Sequence, residues 1–194
     1  ISKDLNLKSI NKILKDIIQI KNFDFNKEIK IKNLFFKYET SKRNILENLN
    51  LKIDFNKSTG IIGKSGAGKT TLIDILLGLL SPTSGSVKID NLELSKIKRQ
   101  WQKNIGYVSQ DIFLSDDSVK ENIAIGEDIK DIDINRLNYA IKLSKINEFV
   151  EDLPDGLNTN IGSRGIRLSG GQRQRIGIAR ALYSKPRILV LDEA

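Results

Sequence analysis

A glycine-rich run, GKSGAGKT at Gly63–Thr70, constrains the fold of this chain more than any other stretch. It follows the apolar pair Ile61 and Ile62, and it precedes Thr70–Leu80, where apolar residues recur with the period of a helix. The run matches the pattern G-x-x-x-x-G-K-[ST], in which a tight loop joins an apolar strand to a helix. The order strand, loop, helix predicts an α/β protein.

The same loop has the chemistry of a phosphate site. Gly66 and Gly68 let the backbone curl so that successive N–H groups point at phosphate oxygens, and the helix amino terminus adds a partial positive charge. Lys69 is predicted to reach the β- and γ-phosphates, and the Thr70 hydroxyl to ligate Mg²⁺. The alternative, a glycine-rich turn with an incidental lysine, does not account for the strand and helix around it. The predicted nucleotide-contacting residues of this loop are Gly63, Lys64, Ser65, Gly66, Ala67, Gly68, Lys69, Thr70 and Thr71.

A second motif closes the chain, where the apolar run Ile188–Leu191 leads into Asp192 and Glu193. An unbroken apolar strand suits a parallel sheet covered on both faces. Such a strand capped by acidic residues can be purely structural. Beside a phosphate loop, however, Asp192 is predicted to hold Mg²⁺ directly or through water, and Glu193 to accept a proton from an attacking water.

The residues RLSGGQ, Arg167–Gln172, precede a helical stretch. Ser169 and Gln172 fit a capping box, which explains the start of a helix but not the two glycines between them. Each glycine in a helix costs about 1 kcal/mol relative to alanine. Gly170 and Gly171 are therefore predicted to allow a phosphate group to approach the backbone at the helix amino terminus.

Composition narrows the chemistry further. The chain has no cysteine and no histidine, which excludes a disulfide scaffold and thiolate or imidazole metal ligands. Any metal is expected to be a hard, oxygen-ligated ion, which favours Mg²⁺ over Zn²⁺. The net charge of +8 could indicate a nucleic-acid or anionic-membrane partner. Because the lysines are scattered rather than arranged in a basic stripe with aromatic residues, no nucleic-acid partner is expected.

Periodicity predicts the remaining elements. Residues 29–39 and 49–55 alternate with period two and are predicted to be strands. Further strands are predicted at 86–90, 104–110 and 187–192, and helices at 135–150 and 171–184.

The three motifs GKSGAGKT, LSGGQ and ILVLDE, in that order, resemble those of the ATP-binding cassette (ABC) transporter family over about residues 28–194. The resemblance implies a P-loop NTPase fold: a RecA-like parallel sheet with an N-terminal antiparallel β portion and an inserted helical subdomain at about 111–172, which carries the signature. It implies ATP and Mg²⁺ as cofactors. Tyr38 resembles the aromatic residue that stacks on adenine, although a lone tyrosine there could be packing. Gln110 resembles the glutamine that contacts Mg²⁺ or the attacking water, and Ser169, Gly170, Gly171 and Gln172 resemble the signature that meets a partner's nucleotide.

The resemblance also implies a domain plan. Residues 1–26 are expected to be an amphipathic helix, Ser2–Ile20, and a linker from a transmembrane domain; a free N-terminal helix is the alternative. Residues 27–194 are expected to be the ABC ATP-binding domain. Because the family continues past this point to a switch histidine, the chain is expected to be a fragment, weakly active or inactive alone.

The stretch Gly106–Gly126 and the loop Thr159–Gly165 are similar to those of exporter-type members. Asn160 and Ser163 depart from the usual acidic residue and its partner in that loop. The expected function is ATP hydrolysis coupled to export or lipid flipping, with a second cassette and a transmembrane domain of the same polypeptide as partners. The expected location is the cytoplasmic face of the cell membrane, the inner membrane if bacterial. A soluble ABC ATPase and a separate importer subunit remain alternatives.

Overall fold

A computed structural model describes residues 23–162 and 168–192, which divide into two compact units between Asn104 and Ile105. The predicted helix Ser2–Ile20, Ser163 of the loop before the signature, and Glu193 lie outside the described residues. Within the described residues, no helix is both long and apolar enough to cross a membrane.

The first unit is built on a four-stranded antiparallel sheet with the order β2-β1-β3-β4. This sheet confirms the predicted antiparallel β portion. Its inward positions shift by one residue at a bulge in β1, where Asn33 has φ of 46°. Gly85 crosses the bulge so closely that a Cβ there would lie 2.3 Å from the Asn33 carbonyl oxygen, so only glycine fits. The strands are β1 (Glu28–Phe36), β2 (Leu46–Asp54), β3 (Ser84–Ile89) and β4 (Leu92–Glu93).

Two helices complete the first unit: α1 (Lys69–Leu76) and α2 (Leu94–Gln102). The buried Trp101 of α2 donates its indole N–H to the Leu76 carbonyl at 2.6 Å, which joins the carboxyl ends of both helices. The Phe25 ring packs edge-on against Trp101. The first unit's core therefore includes a residue two positions before the predicted domain start at 27.

The apolar strand predicted directly before Gly63 is not formed. Residues 57–64 have no regular secondary structure, and the Ile62 side chain is fully exposed. A strand exists only where a neighbour accepts and donates its backbone hydrogen bonds. Among the described residues, no segment forms a ladder with this stretch.

The second unit combines a parallel strand pair with a helical core. Strands β5 (Ile105–Val108) and β6 (Ile188–Leu191) pair in parallel, as the apolar sequence of β6 predicts. Leu189 and Leu191 are 39% and 50% exposed, so one face of β6 is open among the described residues, although its apolar sequence suits a strand that is covered on both faces. The helices are α3 (Val119–Ile123), α4 (Ile134–Ser144), α5 (Asn147–Val150) and α6 (Gly170–Tyr183), with 3₁₀ turns at Ile129–Asp131 and Gly156–Asn158.

The single helix predicted over 135–150 is two helices. Lys145 ends α4 in the left-handed conformation, with φ of 56°, and α5 begins two residues later. The predicted apolar stripe continues across the break, because Leu137, Ala140, Ile146 and Val150 all enter the same buried cluster, but its fifth member, Leu143, is 51% exposed. Periodicity therefore identified the buried face but not the turn within it.

Candidate functional site

The loop before α1 has the backbone shape that its glycines predict. Gly66 and Gly68 have φ of 77° and 87°, a backbone region that residues with a side chain rarely adopt. Gly68 is also crowded: a Cβ there would lie 2.8 Å from Leu46 Cδ2 and 3.2 Å from the Ile45 carbonyl oxygen. No side chain of the described residues caps the amino terminus of α1. Its first N–H groups and its partial positive charge can therefore serve an external anion.

Lys69 folds back into this loop. Its ammonium donates to the Gly63 carbonyl at 3.0 Å and to the Lys64 carbonyl at 3.3 Å. The cation therefore lies within the curl formed by residues 63–68, where a phosphate group would approach. Thr70 lies exposed in the first turn of α1.

Tyr38 lies next to the first turn of α1. Its hydroxyl shares a hydrogen bond of 3.1 Å with the buried Thr71 hydroxyl. The Tyr38 ring meets Phe36 edge-on, with centroids 4.9 Å apart. Because Tyr38 is still 40% exposed, the ring is held in place and also accessible to a ligand.

In the second unit, the carboxyl ends of β5 and β6 lie at one edge, as in any parallel pair. The Asp192 backbone N–H donates to the Val108 carbonyl at 3.0 Å, directly after both strands end. The buried Asp192 carboxylate accepts a long hydrogen bond of 3.4 Å from the Tyr107 hydroxyl. Gln110 follows β5 by two residues, so the structure brings its segment and Asp192 to the same edge.

The signature residues begin α6 with the predicted capping box. The Ser169 hydroxyl accepts from the Gln172 N–H at 3.2 Å, and the Ser169 N–H donates to the Gln172 side-chain oxygen at 2.8 Å. A Cβ added at Gly170 or Gly171 would meet no described atom within 4 Å. Packing within the described chain therefore gives no reason for either glycine, in contrast to Gly68.

A cleft of about 310 Å³ separates the Gln110 segment from the start of α6. Sequence reasoning treated Gln110 and the signature as separate features, and it missed that they share this cleft. The helical spacing of Gly170, Arg173 and Gln174 was the available signal. The lining residues are Ser109, Gln110, Asp111, Ile112, Gly170, Arg173 and Gln174.

Residues 46–194 match the family model described as ABC transporter. The chain belongs to the ABC transporter family. Its P-loop NTPase fold, ATP binding and ATPase character follow from that membership, and the curl of glycines around Lys69 fits a nucleotide phosphate.

Two relatives and one solved structure show which members this ABC domain is similar to. The chloroplastic ABC transporter B family member 29 of Arabidopsis thaliana is 44% identical over 168 residues, which are 86% of this chain and 26% of that protein. The ATP-dependent lipid A-core flippase of Ralstonia nicotianae is 38% identical over 169 residues, 86% of this chain and 28% of that protein. A bacterial Atm1-family ABC exporter with ATP bound superposes with a TM-score of 0.79 at 33% identity, covering 87% of this chain and 29% of that one. The ABC domain thus spans less than a third of each.

Proposed function

We propose that this ABC domain hydrolyses ATP as the motor of an exporter- or flippase-type membrane protein. The observation that carries the proposal is the Lys69 ammonium, held by the Gly63 and Lys64 carbonyls inside a loop that opens onto an uncapped helix terminus. The full charge of the Lys69 ammonium and the partial positive charge of the helix terminus converge there with backbone N–H donors, which is the arrangement that binds phosphate. ATP supplies the phosphoanhydride bond that is broken.

The nucleotide contacts divide between the base and the phosphates. The exposed part of the Tyr38 ring is the adenine platform, and the hydrogen bond to Thr71 orients it. The backbone of residues 63–71 and the Lys69 ammonium hold the phosphates. When ATP binds, Lys69 exchanges its two carbonyl acceptors for phosphate oxygens, so its charge needs no large rearrangement.

The magnesium ligands predicted from the sequence remain a proposal. Thr70, Gln110 and Asp192 offer a hydroxyl, an amide oxygen and a carboxylate, which are hard donors of the kind Mg²⁺ prefers. Among the described residues, no three acidic side chains gather as a metal site. That fits an ion bound through few protein ligands together with nucleotide phosphates. Glu193 is proposed as the base that accepts a proton from the attacking water.

The partner is proposed to be a second ABC domain. Gly170 and Gly171 leave the amino terminus of α6 open, with no packing within the described chain to explain them. A phosphate of nucleotide bound to the partner's loop would use this opening, and nucleotide would then hold two domains together. Residues 1–26 are proposed to connect the domain to a transmembrane region of the same polypeptide, at the cytoplasmic face of the membrane. Residues 27–194, with a helical subdomain at about 111–172, form the proposed ATP-binding domain.

The test is an ATP titration of the full-length protein that carries this chain. Lys69→Ala removes two charge-assisted hydrogen bonds, and we expect the ATP affinity to fall at least about tenfold, since 1.4 kcal/mol is a factor of ten. Lys57→Ala removes the same charge from an exposed position six residues before the loop and is the matched control. Unchanged ATP affinity in folded Lys69→Ala protein would refute the phosphate-loop assignment.

A further inference from the structure

Arg180 ties the signature helix to the segment that follows Gln110. It lies in the third turn of α6, and its guanidinium donates to the Asn122 carbonyl at 2.8 Å, to the Phe113 carbonyl at 2.9 Å and to the Asn122 side-chain oxygen at 3.4 Å. Burial lowers the pKa of Arg180 from its ordinary value. Arg180 is partly buried, and its hydrogen bonds to the Asn122 and Phe113 carbonyls compensate for the water that its charge loses.

Asn122 holds the same segment through its side-chain amide. It is fully buried, and its amide oxygen accepts from the Ser115 N–H at 2.9 Å. Its amide nitrogen donates to the carbonyls of Ser115 and Ser118, each at 3.1 Å. Arg180 and Asn122 together therefore anchor the chain at Phe113 and Ser115, only three and five residues after Gln110.

The intervening residues lie against the same face of α6. Gly177 stands three positions before Arg180, and a Cβ there would lie 2.5 Å from Ile112 Cδ1, so the Ile112 side chain packs directly on the backbone of α6 at Gly177. Towards the amino terminus of the helix, Gly170 and Gln174 line the same cleft as Gln110. Positions three or four apart share one helix face, so this face of α6 runs alongside the segment from Gln110 to Phe113.

We propose that Arg180 and Asn122 are positioning residues for ATP hydrolysis, because they set where Gln110 lies relative to the signature glycines. At its upstream end the segment is fixed by β5, and at its downstream end by these two side chains. Neither residue lines the cleft between Gln110 and the start of α6. The inference rests on the proposed function, since it assigns Gln110 a role in the reaction.

The informative change is Arg180→Met, which keeps most of the apolar stem and removes every donor. The proposed contacts to the base and phosphates, Tyr38 and residues 63–71, are unchanged in this variant, so we expect ATP affinity to stay nearly constant. We expect kcat to fall about tenfold, because displacement of a reacting group by about 1 Å can cost up to a hundredfold. Arg180→Lys keeps the charge and one donor, and it should recover part of the lost kcat.

Arg175→Met is the matched control on the same helix. Arg175 donates to the Lys145 carbonyl at 3.2 Å and to the Glu148 carboxylate at 2.6 Å, so it ties α6 to the α4–α5 junction instead of the Gln110 segment. The substitution removes the same group and a comparable set of contacts. We expect its kcat to stay within about twofold of the unchanged protein, because no part of the Gln110 segment loses an anchor.

The experiment measures kcat, ATP affinity and amide hydrogen exchange on the full-length protein in lipid nanodiscs. Support would be a fall in kcat at constant ATP affinity in Arg180→Met, partial recovery in Arg180→Lys, and faster exchange confined to residues 109–117. Equal kcat in Arg180→Met and Arg175→Met would overturn the positioning role of Arg180. So would a loss of ATP affinity and kcat that simply follows the loss of folded protein. Failure of the unchanged protein to hydrolyse ATP would instead contradict the proposed function. In that case amide hydrogen exchange of residues 109–117 in Arg180→Met would still decide whether Arg180 positions the segment.

Discussion

Gly171→Ala should make the protein more stable and less active at once. Gly171 lies in the first turn of α6, and a Cβ there meets no described atom within 4 Å. Alanine loses less conformational entropy than glycine on entering a helix, a gain of about 0.5–1 kcal/mol. For a domain of this size that gain corresponds to a rise in the melting temperature of roughly 1–4 °C.

The ATP turnover of Gly171→Ala should fall. If a partner's nucleotide phosphate approaches the N–H groups at this helix terminus, the added methyl group stands in its path. Loss of one hydrogen bond to a charged group costs about 1.5–3 kcal/mol, which converts to a fall in turnover of roughly 10- to 100-fold. A rise in stability together with a fall in turnover would indicate that the glycine serves ligand binding rather than the fold.

Gly177→Ala on the same helix is the control. Its Cβ would lie 2.5 Å from Ile112 Cδ1 and 3.0 Å from Ile112 Cγ1, so this variant should be destabilised by about 1 kcal/mol through overpacking. Thermal unfolding and ATP turnover of both variants, measured on the full-length protein, separate the two cases. A Gly171→Ala protein that is less stable than its parent, or that hydrolyses ATP equally fast, would refute the reasoning.

Three further expectations concern other residues. Tyr38→Phe removes only the hydroxyl that is bonded to Thr71 and should weaken ATP binding a few-fold. Tyr38→Trp should bind ATP normally, whereas Tyr38→Ala should lose more ATP affinity because stacking is lost. Equal ATP affinities of all three variants in a titration would mean that Tyr38 is only packing. Glu193→Gln should accumulate an ATP-bound dimer in light scattering, because the nucleotide still binds while the proposed base is gone; monomer alone with ATP and Mg²⁺ would count against that assembly. Hydrogen bonds from the backbone N–H groups of Arg136, chiefly, and Asn135 lower the pKa of Asp133 below its ordinary 3.8. Asp133 therefore contributes stability that is present above pH 3.8 and is lost as the pH falls through its lower folded pKa. Asp133→Asn keeps a capping oxygen and should reduce the loss of unfolding free energy as the pH is lowered. An identical pH dependence of the unfolding free energy in both proteins would show that the carboxylate contributes nothing to it.

The sequence by itself determined features that depend on neighbouring residues. Alternation predicted the paired strands β1 and β2, and a helical apolar stripe predicted α6. The S-x-x-Q spacing predicted the capping box of Ser169 and Gln172, because both groups lie within one helical turn. The phosphate loop was predictable for the same reason: its curl depends on the φ angles of two glycines in a run of eight residues.

Only the tertiary structure decided the features that join distant parts of the chain. The residues before Gly63 have strand-like composition but no ladder partner among the described residues, and composition cannot supply one. Periodicity alone could not show the break at Lys145, since the apolar stripe is continuous across it. Arg180 reaches carbonyls 58 and 67 residues away, a geometry that exists only after the fold has placed α6 beside the Gln110 segment. Local pattern fixes which face of an element is buried, whereas packing fixes what that face meets.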